Sequence, residues 1–74
     1  MRITVRLFAT LSKNRFDVVE DEFPDGSTVG DIVRKYCIPE KDVTLIFING
    51  IHGDLDTVLS DGDILSMFPP IGGG

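Results

Sequence analysis

Cysteine and histidine each occur once in this chain, at Cys37 and His52, and tryptophan does not occur at all. A single thiol cannot form an internal disulfide and fits a reducing compartment. With one residue of each kind, no cluster at the usual metal-ligand spacing can be assembled, so no bound metal is expected. Positive charge is also sparse. Seven Lys and Arg stand against twelve Asp and Glu, for a net charge of −5, and the seven do not cluster. Nucleic-acid binding needs a concentrated basic face, so that class of partner is not expected. An acidic surface suits a protein with a basic docking site. Long apolar runs are absent too: the longest, Leu45–Ile48, is far too short to cross a bilayer. No basic, apolar leader is visible at Met1, Arg2 and Ile3, so the expected setting is cytoplasmic and away from membranes. No phosphate-binding glycine loop appears, since the glycines lie in turns and at the terminus. His52 has no serine or cysteine motif beside it and reads as a surface strand residue. Cys37 reads as a small apolar residue near a helix end. Nothing in the chain reads as an active site of its own.

What is present is one small domain of 74 residues, 42% hydrophobic and 26% charged. A domain of this size buries only about 60% of its unfolded-chain surface, so each apolar position counts. Residues 2–8 alternate, with Ile3, Val5 and Leu7 on one face and Arg2, Thr4, Arg6 and Phe8 on the other, which predicts a half-buried strand. A second strand is predicted over 17–23, closed by the turn signal Pro24-Asp25-Gly26. The period then changes. Thr28 and Asp31 form an aspartate version of the capping box. Val29, Ile32, Val33 and Tyr36 make one apolar helical stripe, which Pro39 must end by Ile38. Leu45–Ile48 predicts a buried strand, Asn49-Gly50 a tight type I′ hairpin turn, and Ile51-His52 the return strand. Residues 54–60 read as a loop with room for one helical turn, and 64–68 as the last strand after Asp61-Gly62-Asp63. The acidic residues Glu20, Asp21, Glu22, Asp61 and Asp63 read as solvated charges. One helix on one face of a mixed sheet gives an α+β layer pair whose other face stays partly open.

The sequence as it stands closes with Phe68, Pro69, Pro70, Ile71, Gly72, Gly73 and Gly74. Two prolines favour extended backbone, so residues 1–68 are expected to form the domain and 69–74 a directed arm. Fully extended, six residues reach at most about 20 Å. Glycine can thread where any side chain would jam, and it leaves a terminal carbonyl unshielded. If the chain carries chemistry, its reactive group is therefore the Gly74 carboxylate, activated by a separate ATP-using enzyme. Ordering such an arm in a channel costs about 1 to 2 kcal/mol per residue, which a docking surface on the body must offset. Strand parity sets Phe8 and Phe68 on faces opposite the core residues, and with Ile71 beyond they suggest an apolar patch at the root of the arm.

The strand Val5-Arg6-Leu7-Phe8-Ala9, the turn Leu59-Ser60-Asp61-Gly62-Asp63 and the ending Phe68-Pro69-Pro70-Ile71-Gly72-Gly73 resemble the MoaD/ThiS sulfur-carrier family along the whole chain. The double proline is more similar to the MoaD branch, the small subunits of molybdopterin synthases. The resemblance implies a ubiquitin-like β-grasp fold, with a mixed sheet and one main helix. It also implies a terminal glycine adenylated by a MoeB/ThiF-like enzyme with ATP, and no cofactor bound by the carrier itself. A sulfurtransferase or cysteine desulfurase would then supply sulfur to make a thiocarboxylate. A MoaE-like large subunit would receive the inserted arm (Pro69, Pro70, Ile71, Gly72, Gly73, Gly74). The family's apolar docking positions map to Phe8, Phe68 and His52, the last departing from the family's apolar habit. Members commonly end in two glycines and this chain in three, so either Gly74 is activated or one glycine is first removed. A ThiS-like carrier of another pathway, a protein modifier and a non-covalent binding module remain open on the residues alone.

Overall fold

Alternation at the start of the chain becomes strand β1, Arg2–Leu7, with Ile3, Val5 and Leu7 buried and Arg2 and Arg6 exposed. The computed structural model describes residues 1–70, so the expectations placed on Ile71, Gly72, Gly73 and Gly74 lie outside the described residues. Phe8 falls just past the strand and leads into a short 3-10 turn, Ala9–Ser12, that the polar sequence there did not suggest. Strand β2 is Val18–Glu22, inside the expected span, and pairs antiparallel with β1.

Helix α1, Val29–Lys35, starts at the predicted box: the Asp31 amide donates to the Thr28 hydroxyl, and the Thr28 amide donates to the Asp31 carboxylate. Its end is a Schellman motif. The Ile38 amide donates to the Val33 carbonyl at 3.0 Å and the Cys37 amide to the Arg34 carbonyl at 3.1 Å. Cys37 takes the left-handed position, φ 56°, that glycine usually fills, and is exposed rather than part of an apolar helix end.

Strands β3, Leu45–Ile48, and β4, Ile51–His52, are joined by Asn49-Gly50 with φ of 53° and 82°, the type I′ pattern. Residues 54–60 form turns and a single bridge from Thr28 to Val58, with no helical turn. Strand β5, Ile64–Phe68, runs between β1, to which it is parallel, and β3, to which it is antiparallel. The sheet order is β2-β1-β5-β3-β4. The single core lies between its inner face and α1. Ile3, Val5, Leu65, Met67, Val29, Ile32 and Val33 are all fully buried there.

Of the acidic groups read as solvated, Asp21, Asp61 and Asp63 are structural. Asp61 accepts from the Arg2 amide at 2.8 Å. Asp63 accepts from the Asn49 side chain at 2.9 Å and the Ser60 amide at 2.8 Å, joining the two turns at one end of the sheet. Among the described residues no helix is long and apolar enough to cross a membrane.

Candidate functional site

The outer face of the sheet carries a row of four rings. Phe8 and Phe68 stack with centroids 4.3 Å apart and planes 12° from parallel. Phe68 meets Phe47 edge-on at 5.9 Å, and Phe47 meets His52 edge-on at 5.7 Å. Register builds this row. Leu7 faces Met67 and Ile46 faces Met67 across β5, which sends all three to the core and leaves their neighbours Phe8, Phe68 and Phe47 on the opposite face. The two-residue turn then sets His52 directly across from Phe47. Phe8, Phe47 and Phe68 are half-buried and His52 is exposed. Offset and edge-to-face rings hold one another in place, so the row is a fixed surface rather than loose side chains.

The three sequence-predicted docking residues are thus brought together, with Phe47 as the missed fourth that connects them. Its signal lay in the Asn49-Gly50 turn, because a two-residue hairpin forces Phe47 and His52 onto one face. Pro69 and Pro70 follow Phe68 directly and are half-buried, so the chain leaves the sheet from within the row, between Phe8 and Phe47. The Arg6 guanidinium lies over the Phe8 ring at 5.1 Å. Since Phe68 covers one face of that ring, Arg6 takes the other. Beyond Arg6 an open groove of about 240 Å³ is lined by Leu7, Ala9, Asp17 and Val18.

The covered face has different chemistry. Asp21 accepts from Lys35 Nζ and from the Tyr36 hydroxyl, each at 2.7 Å, tying β2 to the end of α1. The Lys35 bond, then those from Tyr36 and the Glu22 amide, hold its carboxyl down at about 2. Burial, and then the Asp21 carboxylate, push the Tyr36 hydroxyl well up. These groups brace the fold and sit away from the ring row. No group of three or more His, Cys, Asp and Glu among the described residues is placed to hold a metal ion.

What this geometry can do is dock: a preformed aromatic strip flanks the point where Pro69 and Pro70 leave the last strand. Solved structures share the architecture. A Pyrococcus furiosus protein assigned as molybdopterin converting factor subunit 1 is 29% identical, with TM-score 0.77 over 96% of this chain and 99% of its own. SAMP1 from Haloferax volcanii is 24% identical, with TM-score 0.76 over 100% of both chains. A chain of the complex of subunits 1 and 2 of molybdopterin-converting factor from Helicobacter pylori gives 23% identity and TM-score 0.69 over 100% of both chains. Among curated proteins no sequence matches. The fold is the ubiquitin-like β-grasp that the family resemblance implied, and it agrees with the α+β layer pair read from the element order. Residues 5–74 match the ThiS family, and the chain belongs to that family of small ubiquitin-like sulfur carriers, which act as carriers rather than catalysts.

Proposed function

We propose that the chain is the sulfur-donating small subunit of a molybdopterin-synthase-type complex. The carrying observation is the ring row Phe8-Phe68-Phe47-His52, in which Phe68 is followed directly by Pro69, so a docking strip flanks the root of the proposed arm. The similarity to the Pyrococcus furiosus converting-factor protein supports the same reading.

In this proposal a MoeB/ThiF-like enzyme joins the Gly74 carboxylate to the AMP portion of ATP and releases pyrophosphate. The terminal sulfur of a persulfide on a sulfurtransferase or cysteine desulfurase then attacks the acyl-adenylate and displaces AMP. A second thiol cleaves the acyl disulfide so formed, leaving a thiocarboxylate on the carrier and a disulfide on the donor. The carrier docks its ring row on a MoaE-like subunit, and Gly72 and Gly73 let the arm enter. The thiocarboxylate sulfur attacks a pterin precursor there, and hydrolysis returns the carboxylate. ATP is used by the activating partner, and this chain binds no cofactor of its own. The chemistry takes place in the cytoplasm.

The test is intact mass spectrometry of the chain from its native host and after incubation with activating enzyme, ATP and a sulfur donor. Replacement of one oxygen by sulfur at the terminal glycine is the expected result. It also tells whether Gly73 or Gly74 is activated. Amide-linked adducts on lysines of other proteins, with no thiocarboxylate, would make the chain a modifier like SAMP1, whose fold it shares. A chain lacking Gly73 and Gly74 should lose all transfer; retained function would leave only a non-covalent module.

A further inference from the structure

The sheet has two outer strands, β2 and β4. β4 contains only Ile51 and His52, whereas β2 runs for five residues. The ladder fixes which β2 backbone groups face outward. The Leu7 amide donates to the Asp17 carbonyl and the Phe23 amide to the Met1 carbonyl, each at 2.9 Å. Odd-numbered residues of this strand therefore point their main-chain groups at β1. Val18, Glu20 and Glu22 sit opposite Arg6, Thr4 and Arg2 as the non-bonded pairs of the ladder, so their amides and carbonyls point away from it. The Glu22 amide is answered locally by the Asp21 carboxylate at 2.8 Å. The amides and carbonyls of Val18 and Glu20 have no protein partner among the described residues. Unpaired edge groups of this kind are a template for another strand.

We propose that the Val18–Glu20 edge binds an extended, basic segment of a partner protein as an added strand. This surface meets the ring row only at Phe8, lies away from Phe68, Phe47 and His52, and holds whether or not the chain carries sulfur. The occupant follows from what flanks the free groups. Val18, Glu20 and Glu22 present exposed side chains on the outer face, and the groove lined by Arg6, Phe8, Ala9, Ser12, Asp17 and Val18 opens beside the first of them. A strand laid here sets alternate side chains next to Val18, Glu20 and Glu22. It needs an apolar residue at the groove, then Lys or Arg at the next two positions on that face. Arg2, 4.0 Å from Glu22, is exposed and leaves that carboxylate open to a second cation. A second copy of this chain is the wrong occupant, because pairing β2 with β2 sets carboxylates against carboxylates, and like charges across strands repel. Backbone bonding supplies the attraction and side-chain charge supplies the choice of partner.

The probe is an end-capped synthetic peptide with valine and two lysines at alternate positions, spaced by threonines and made in both directions. Its binding to the full, isotope-labelled chain is followed by amide shifts and hydrogen exchange. Exchange should slow at Val18 and Glu20 and not at Phe47, Phe68 or His52. Glu20→Lys should weaken binding about tenfold, from attraction reversed to repulsion. A probe N-methylated at the residue facing Val18 should also bind several-fold less tightly, with no change in the protein itself. Phe68→Asp should leave the peptide affinity unchanged. Equal binding of the methylated probe, exchange unaltered at Val18 and Glu20, or self-association of the free chain through β2 would each overturn the proposal. Loss of binding in Phe68→Asp would move the peptide to the ring row and overturn it as well.

Discussion

The two faces of one sheet are made by the same strands and do opposite work. In β5, Leu65 and Met67 are 0% exposed beneath α1, while Ser66 and Phe68, one residue along, remain half-buried on the outside. In β1, Ile3 and Val5 are likewise fully buried, and Arg2 and Arg6 are exposed. The inner face gains its energy by excluding water from aliphatic chains. The outer face leaves rings partly wet, so much of its apolar surface is still available to a partner. Stability and recognition are therefore interleaved at single-residue spacing, and a point substitution can remove one and spare the other.

The strongest way to break the inner face is Leu65→Ala. A fully buried leucine truncated in a packed core costs about 2 to 5 kcal/mol. That is a large share of the stability of a small domain, and urea unfolding should show the midpoint falling accordingly. The fraction that stays folded should dock normally. Phe68→Asp is the counterpart on the outer face. It gives up a stacked pair worth about 0.5 to 1.5 kcal/mol, so the fold persists. Docking on the proposed MoaE-like large subunit should fall by about 2 kcal/mol or more, the scale of a central aromatic anchor. Calorimetry on the complex checks this, and unchanged affinity would remove the ring row from the interface.

How much of this contrast the sequence reveals depends on the range of the interactions. Ile3/Val5/Leu7, the Thr28/Asp31 box and the Asn49-Gly50 turn act over a few residues, and each element formed where the pattern placed it. The outward face of Phe8 and Phe68 was legible for the same reason, since parity alone sets it, whereas His52 was placed beside them by the family resemblance. Phe47 was hidden inside Leu45–Ile48, where a continuous apolar run conceals which residues turn outward. The central place of β5 was not legible either. Its parallel pairing with β1 joins residues about sixty positions apart, and no local signal encodes such a contact. Asp21 was misread as solvated because its partners, Lys35 and Tyr36, lie a helix away in sequence.

A smaller effect sharpens the inner face. Cys37 holds φ 56° at the end of α1, where a residue with a Cβ is strained by about 1 to 2 kcal/mol. Cys37→Gly relieves that strain but loosens the unfolded chain, so a net gain of about 0.5 to 1 kcal/mol is expected. Thermal unfolding should show a modest rise in Tm. A fall would mean that the cysteine side chain contributes packing that its exposure conceals.

The smallest expected effect concerns a charged tie between the two layers. Asp21 on β2 binds Lys35 and Tyr36 at the end of α1, and its carboxyl sits at about 2 against an ordinary 3.8. A carboxyl lowered by folding adds stability above its unfolded value and loses it as pH falls through the folded value. The contribution should therefore be full above about pH 4 and fade toward about pH 2. Asp31, also held low by the Thr28 amide and then Arg34, titrates in the same direction, so Asp21 accounts for only part of the acid sensitivity. Asp21→Asn should lower the urea midpoint at neutral pH, and the gap from the parent chain should close as the pH approaches 2. Docking through the ring row should not change at any pH in that window, because the tie lies on the covered side. A gap that stays constant down to pH 2 would show that the Asn variant lost packing or geometry rather than charge. The two layers would then be joined by shape alone.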